Sequence, residues 1–222
     1  MPEAGSQLDG VYAAKSPEEV ARRYDGWAET YEGEMARIGY RHPAIALALL
    51  ARHLPRGAGP ILDAGAGTGL VGEWLGILGY PEAEALDISP GMLEVAARKG
   101  VYRDLHLGAL GGPLSFADGR FAAVISAGVF TLGHVGAEAL PELLRVVRPG
   151  GVLVLTVKDQ VWTGGFADRL GALAGEGRVR LLEETPAYVS MPGVPDTAPS
   201  RGVTFRVGRL DRVTSRTRAT PI

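Results

Sequence analysis

The chain has 222 residues, of which 46% are hydrophobic and 22% are charged, and its formal net charge is −2. This length and composition suit one α/β domain with a sizeable core and exclude an intrinsically disordered chain. A charge so close to zero provides no overall positive field for a nucleic-acid backbone, so we expect no nucleic-acid partner. The sequence contains no cysteine, which excludes disulfides, zinc–thiolate sites and a cysteine nucleophile.

The N-terminal region indicates neither export nor membrane insertion. It lacks the basic segment followed by an apolar segment that marks a signal peptide. The longest apolar stretches are about nine residues, whereas a membrane-spanning helix needs roughly 20. We therefore expect a cytoplasmic protein without a membrane partner. His42, His53 and His106 have no acidic or metal-like partner at a useful spacing in the sequence, so no metal site is predicted.

The predicted elements begin with a helical cap over residues 16–56. Residues 1–15 show no periodic apolar pattern and are expected to be disordered. Ser16 followed by Pro17 and two glutamates is typical of a helix start. The helix after it places four apolar or aromatic residues on one face, at spacings of three and four: Val20, Tyr24, Trp27 and Tyr31. A second helix is predicted over 44–53.

Strands then alternate with helices. Strands are predicted at 60–63, 83–87, 104–107, 121–127, 152–157, 179–183 and 202–207. Helices are predicted at 70–78, 89–99, 140–147 and 162–174. This order implies a Rossmann-like α/β fold, a seven-stranded, mostly parallel sheet with helices on both faces. We expect one domain over 16–210, in which 158–200 contacts the substrate, and a flexible tail over 211–222.

A glycine-rich loop follows the first predicted strand. Its sequence is Asp63-Ala64-Gly65-Ala66-Gly67-Thr68-Gly69. Glycines at every second position let the backbone turn sharply and approach a ligand closely. The helix that follows turns its free N–H groups toward the loop. Asp87 ends the second predicted strand, a position from which a carboxylate accepts both hydroxyls of a ribose.

Two classes of cofactor use this arrangement. Residues 67–72 match the G-x-G-x-x-G string of nicotinamide enzymes, which predicts an NAD-dependent oxidoreductase. That match would run the buried strand through Asp63 and Gly65, and it leaves some 60 preceding residues unexplained. The string D-x-G-x-G-x-G over 63–69 uses every residue of the loop, so it is the favoured interpretation.

The loop and its surroundings resemble a known superfamily. Residues 60–157 look like the core of class I methyltransferases that depend on S-adenosylmethionine (SAM). The matching segments are LDAGAGTG (62–69), LDISPGML (86–93) and RPGGVLVLT (148–156). The segment RYDGWAETYEGEM (23–35) resembles one that precedes the core in many small-molecule methyltransferases. A closer likeness, over roughly 20–160, is to the methyltransferase-like family of the Williams–Beuren region.

The resemblance implies SAM as cofactor, S-adenosylhomocysteine as product and a set of binding residues. Asp63 would hold the methionine ammonium or orient the loop, and Asp87 would take the ribose hydroxyls. Many relatives carry an acid that bonds the adenine near Ala109, where this chain has none. The implied cofactor-binding residues are Tyr24, Trp27, Tyr31, Asp63, Gly65, Gly67, Thr68, Gly69, Asp87, Ile88, Met92, Ala109, Leu110 and Ala127.

The sequence thus predicts a methyltransferase that acts on oxygen or nitrogen of a small-molecule acceptor. His134 follows the fourth strand, where related folds face the methyl group, so it is the candidate general base. The fourth strand lacks the N-P-P-Y or D-P-P-Y string of enzymes that methylate nucleic-acid amino groups, which favours a small acceptor. A regulatory SAM-binding protein without catalysis remains the alternative. The chain is expected to be a monomer or a homodimer.

Overall fold

A seven-stranded sheet runs through the computed structural model, which describes residues 7–208 except 9, 12 and 15. The strands are β1 (Ile61–Ala64), β2 (Ala83–Asp87), β3 (Asp104–Leu107), β4 (Phe121–Phe130), β5 (Val147–Lys158), β6 (Val179–Glu184) and β7 (Ser200–Val207). Their order across the sheet is β3-β2-β1-β4-β5-β7-β6. β7 runs antiparallel to both of its neighbours, and the pairs among β1 to β5 are parallel. The predicted seven-stranded, mostly parallel sheet is confirmed.

Helices cover both faces of this sheet, as predicted. They are α1 (Pro17–Trp27), α2 (Tyr31–Arg37), α3 (His42–His53), α4 (Leu70–Ile77), α5 (Pro90–Lys99), α6 (Leu140–Val146) and α7 (Ala167–Gly175). The apolar sides of α3, α4 and α5 pack on one face, and those of α6 and α7 on the other. Ser16 and Ser89 cap α1 and α5, since each side chain accepts a hydrogen bond from the backbone N–H three residues later.

A third apolar cluster joins the helical cap to the rest of the domain. It contains Leu8, Val11, Val20, Trp27, Met35, Ile38 and Met191. The expected disorder of residues 1–15 is therefore wrong for Leu8 and Val11, which are buried against the cap. Their burial depends on contacts with distant residues, which a local periodicity does not show. The predicted tail over 211–222 lies outside the described residues.

Four predicted elements differ from the structure by an interruption or by more than two residues at one end. The first helix is interrupted between Trp27 and Tyr31, and the helix predicted over 162–174 is kinked at Gly165, whose φ is +107°. The fourth strand continues past Ala127 to Phe130 through an irregular register with β5. The fifth strand already starts at Val147, which pairs with Phe121, and the RPGG segment then interrupts the register before pairing resumes at Val152.

A buried glutamate in the middle of β2 is explained by its ion pairs. Glu84 is 1% exposed. Its carboxylate accepts hydrogen bonds from Arg120 at 2.7 Å and from His106 Nε2 at 2.9 Å. These partners offset the cost of burying a charge in a strand that otherwise suits apolar residues. Within the described ranges, no helix has the length and apolar character needed to cross a membrane.

Candidate functional site

A cavity of about 420 Å³ lies where β1, β2 and β4 end beneath the helical cap. This is the edge at which ligands bind in open α/β sheets. The cavity is lined by the following residues from the predicted site: Tyr24, Tyr31, Gly65, Gly67, Asp87, Ile88, Met92, Ala109, Leu110, Ala127 and His134. Segments far apart in the sequence thus meet around one space.

The glycine loop forms one wall of this cavity. Gly65 has a φ of +80°, and a Cβ there would lie 2.2 Å from Cγ2 of Val129. At Gly67, whose φ is +54°, a Cβ would meet nothing within 4 Å. The first glycine is therefore needed for close packing, and the second exposes backbone to the open space.

Asp87 ties the loop to the end of β2. Its Oδ2 accepts a hydrogen bond from the Gly67 N–H at 2.8 Å, and its Oδ1 accepts one from the Ser89 N–H at 2.9 Å. Burial raises the pKa of Asp87, while these N–H groups act in the opposite direction. No lysine or arginine is found among the described lining residues. The charged side chain facing the cavity is thus a carboxylate, which suits a ligand with positive charge and hydroxyl donors.

Asp63 lies behind the loop and does not line the cavity. It is 1% exposed, and its Oδ2 accepts a hydrogen bond of 2.5 Å from the Tyr102 hydroxyl. The same hydroxyl accepts a hydrogen bond from the Gly72 N–H at 3.1 Å. Burial raises the pKa of Asp63 to about 7, with a smaller contribution from the Asp87 carboxylate. These contacts connect the start of the loop to α4.

Trp27, Thr68 and Gly69 also lie away from the cavity wall, although the resemblance implied a cofactor contact for each. Trp27 is fully buried in the cap cluster, with its ring 6.1 Å from that of Tyr24 and 5.0 Å from that of Tyr31. Thr68 is buried, and Gly69 faces Ala96 and Tyr102. The aromatic stripe of the cap consists of Tyr24, Trp27 and Tyr31. Its two tyrosines line the cavity, and Trp27 lies in the core.

His134 reaches the cavity from the segment after β4. Its Nδ1 lies 2.8 Å from Thr131 Oγ1 and 3.3 Å from the Leu132 carbonyl oxygen, and its Nε2 lies 3.5 Å from the Tyr24 hydroxyl. A proton on Nδ1 satisfies the carbonyl and leaves the Nε2 lone pair as an acceptor. Burial lowers the pKa of His134, so the neutral form prevails at neutral pH. This arrangement suits a base.

Two further residues of the site escaped the sequence analysis. Asp25 Oδ1 accepts hydrogen bonds from the Ser89 hydroxyl at 2.6 Å and from the Gly91 N–H at 2.8 Å, so it fastens α1 to α5. Tyr40 lines the cavity close to Gly128, where a Cβ would lie 1.8 Å from the tyrosine oxygen. Asp25 does follow Tyr24 in the segment that resembles methyltransferases, which was the available signal.

The segment 158–200 was expected to provide acceptor contacts. None of its residues lines the main cavity, and Trp162 instead packs beside Arg201, whose guanidinium carbon lies 4.9 Å from the ring centre. Lys158 and Met191 line a smaller recess next to the cavity. Over the described ranges, no group of three or more metal-ligating side chains comes together.

A family model described as a methyltransferase domain matches residues 62–155, the part of the chain that holds the glycine loop and Asp87. Residues 62–155 thus form a methyltransferase domain of the SAM-dependent kind. Because the matched domain is that of a methyltransferase, the match supports the D-x-G-x-G-x-G interpretation of the loop and not the nicotinamide one. The Rossmann-like α/β fold predicted from the alternating elements is likewise confirmed.

Similar proteins agree with this assignment. Methyltransferase-like protein 27 from Homo sapiens is 37% identical over 164 residues, which are 71% of this chain and 65% of that protein. A demethylmenaquinone methyltransferase from Renibacterium salmoninarum is 37% identical over 158 residues, 68% of this chain and 64% of that protein. The chain therefore spans just under two thirds of the length of these curated relatives. The likeness to the Williams–Beuren-region family is confirmed.

A solved structure shows the same fold at low sequence identity. It is the complex between the Haloferax volcanii Trm112 methyltransferase activator and a methyltransferase, and it matches with a TM-score of 0.65 and 19% identity. The match covers 86% of this chain and 99% of that chain. Because the identity is low, the likeness concerns the fold alone.

The cavity of this methyltransferase domain fits SAM, the cofactor of the superfamily. The Asp87 carboxylate suits the ribose hydroxyls, and the apolar side chains of Ile88, Met92 and Leu110 suit a planar base. Tyr24 and Tyr31 present aromatic rings to the same space, and aromatic faces stabilise a nearby cation by about 0.5–2 kcal/mol. No lining acid follows β3, so Gly108 and its neighbours offer the adenine only backbone polar groups.

Proposed function

We propose that the protein transfers a methyl group from SAM to an oxygen or nitrogen of a small-molecule acceptor. The observation that carries this proposal is the convergence of Asp87, the glycine loop and His134 on one cavity under an aromatic cap. Support also comes from relatives that are named methyltransferases, one of which has demethylmenaquinone in its name. The proposal extends beyond the family assignment because it commits to an acceptor class and to a base.

The proposed binding roles follow the lining of the cavity. Asp87 would accept the ribose hydroxyls, while Ile88 and Met92 would pack on the adenine. Gly65 and Ala127 would border the methionine part, below Tyr24 and Tyr31. Trp27, Thr68 and Gly69 would not contact the cofactor directly as the resemblance implied. They would instead pack behind the residues that line the cavity. Asp63 takes the second of its two implied roles and orients the loop.

The protein promotes the reaction mainly by positioning the acceptor atom relative to the methyl group of SAM. SAM supplies an electrophilic methyl group on a sulfonium. The cap and the loop hold the acceptor atom in line with that group, and such positioning can lower a barrier by about 7–11 kcal/mol. Nε2 of His134 would accept the proton that the acceptor hydroxyl or amine loses. The nearby Tyr24 hydroxyl, 3.5 Å away, lies where it can orient the acceptor.

Calorimetry tests the cofactor part of this proposal. SAM and S-adenosylhomocysteine should bind the wild type, and Asp87→Ala should lose the interaction because the ribose hydroxyls lose their acceptor. Asp168→Ala is the control, since Asp168 is an exposed acid on α7, away from the cavity. NAD should show no saturable binding. Unchanged SAM affinity in Asp87→Ala would overturn the assignment of this carboxylate.

An acceptor screen tests the catalytic part. Small molecules that carry hydroxyl or amine groups are incubated with methyl-labelled SAM and the wild type or His134→Ala. Transfer of label by the wild type, with a lower rate in the variant, is the expected outcome. Binding of SAM without transfer to any acceptor would favour the alternative, a regulatory SAM-binding protein.

A further inference from the structure

A small recess lies beside the main cavity, toward the carboxyl end of β5. Its volume is about 20 Å³, which accommodates one or two atoms the size of a water oxygen. Four residues line both spaces: Tyr24, Tyr31, Tyr40 and Gly128. The recess and the cavity therefore adjoin each other at these shared residues, so one ligand can contact residues of both spaces.

The recess contains a buried cation. Lys158 is the last residue of β5 and is 6% exposed. Its ammonium donates hydrogen bonds to Ser190 Oγ at 3.1 Å and to the Ala198 carbonyl oxygen at 2.9 Å. An ammonium has three donors, so one donor is left for a further acceptor. Over the described ranges, Lys158 forms no ion pair with a carboxylate.

The described groups around Lys158 do not neutralise this charge. His42 also lines the recess, and its Nδ1 lies 2.8 Å from the Tyr188 hydroxyl. Burial, with the nearby charge of Lys158, lowers the pKa of His42 to about 3, so this imidazole is neutral at neutral pH. Burial lowers the pKa of Lys158 itself to about 8, which leaves the amine mainly protonated at pH 7. Among the described lining residues, the recess thus holds one positive charge.

A buried charge without an opposite partner costs free energy, which an anion at the free donor would offset. We propose that Lys158 binds an anionic oxygen group of the methyl acceptor, a carboxylate or phenolate, while the body of the acceptor lies in the main cavity beside His134. This inference rests on the proposed function, and it narrows the acceptor to molecules with an acidic oxygen group. It also gives the segment 158–200 a part in acceptor binding through Lys158 and its partner Ser190.

The competing explanation is that Lys158 only anchors the chain between Ser190 and Ala198. Both explanations expect Lys158→Met to change stability, so stability does not separate them. The two explanations differ in whether the protein binds an acid more tightly than its neutral isostere. We therefore use benzoate and benzamide as probes, because they have the same shape and differ in charge.

Both probes are titrated by calorimetry into the wild type, Lys158→Met and Lys99→Met, each saturated with S-adenosylhomocysteine. The wild type should bind benzoate at least about tenfold more tightly than benzamide, and Lys158→Met should bind the two equally. Lys99→Met is the charge-matched control, since Lys99 pairs with Glu32 and Glu73 outside the recess, and it should keep the preference.

Three outcomes would overturn the inference: equal affinities in the wild type, saturation by neither probe, or a preference that survives in Lys158→Met. If Lys158→Met does not fold, a crystal of the wild type with 4-bromobenzoate decides, because anomalous scattering from bromine shows whether the carboxylate lies at the Lys158 ammonium. Binding of S-adenosylhomocysteine in the same samples keeps the two proposals apart. Its failure contradicts the proposed function, whereas its success without acid preference contradicts this inference alone.

Discussion

The Tyr102 hydroxyl donates a hydrogen bond of 2.5 Å to Oδ2 of Asp63, beneath the glycine loop. Oδ1 of the same carboxylate is buried and has no hydrogen-bond partner among the described residues. The Tyr102 hydroxyl is thus the hydrogen-bond donor to this buried carboxylate. Its oxygen also accepts a hydrogen bond from the Gly72 N–H of α4. The loop that faces the cavity is supported from behind by this short chain of hydrogen bonds.

Replacing Tyr102 with phenylalanine should destabilise the fold by about 1–3 kcal/mol, since a buried carboxylate would lose its donor. Urea unfolding at pH 8 measures the change. Tyr80→Phe is the matched control, because the Tyr80 hydroxyl is also buried but donates to a neutral group, the Leu54 carbonyl oxygen, at 2.7 Å. It should cost less, about 0.5–1.5 kcal/mol. Equal losses in the two variants would contradict the role given to Tyr102.

The raised pKa of Asp63 makes stability depend on pH. The pKa is about 7 in the folded protein, against an ordinary value of 3.8. The folded state therefore holds the proton more tightly, so this contribution is complete below pH 3.8 and is lost as pH rises through 7. Asp63 should lower the free energy of unfolding by about 4 kcal/mol over that interval.

Asp63→Asn removes this titration. Its free energy of unfolding should fall less than that of the wild type as pH rises from 4 to 8, so the gap between the two curves shifts in favour of the variant. Urea unfolding at several pH values measures both curves. Parallel curves would show that Asp63 ionises in the folded protein as it does in the unfolded chain.

The sequence predicts the parts of the site that local patterns determine. Gly65, Gly67 and Asp87 stand in a strand–loop–helix order with a characteristic spacing, and all three line the cavity. Tyr102 and Asp25 have no such pattern, because their partners lie 39 and 64 residues away in the sequence. Only the assembled sheet and cap bring these pairs together.

The sequence also does not show which aromatic residues of the cap line the cavity, because this too depends on the assembled fold. Helical periodicity places Tyr24, Trp27 and Tyr31 on one face, and the structure keeps their rings in contact. Periodicity does not show how deeply each ring lies below the surface. Trp27 occupies the middle of the stripe and is enclosed by the cap cluster, while the two tyrosines at its sides reach the cavity.

Close packing at Gly65 yields a prediction about the loop. Gly65→Ala places a Cβ 2.2 Å from Cγ2 of Val129, at a φ of +80°. The steric clash and the backbone conformation should together weaken SAM binding and lower stability, the backbone part by about 1–2 kcal/mol. Adding Val129→Ala removes the clash but not the backbone strain, so the double variant should recover part of the loss. Absence of any recovery would mean that Val129 yields freely in the single variant.

Asp25 should control how firmly the cap closes. Asp25→Ala removes the acceptor of the Ser89 hydroxyl and the Gly91 N–H, which frees α1 from α5. Faster hydrogen exchange in α1 and weaker SAM binding are expected, with a cost of about 1–3 kcal/mol. The control is Glu29→Gln, because the Glu29–Arg98 pair joins the turn after α1 to α5 at an exposed position, where an ion pair contributes about 0–1 kcal/mol. If both variants exchange alike, the cap is held by its apolar contacts alone.

His134 should set the acidic limb of the pH profile of methyl transfer. Burial lowers the pKa of His134 from its ordinary 6.5, and a general base works only in its neutral form. The kcat/KM of the wild type should therefore stay level down to pH 6.5 and fall only at a lower pH. His134→Ala should lose about 10²–10⁴-fold in rate together with this limb, and added imidazole should restore part of the activity. His53→Gln, which alters a histidine paired with Glu183 outside the cavity, should keep the wild-type profile. A His134→Ala variant that retains both rate and acidic limb would remove His134 from the chemistry and leave it as part of the wall.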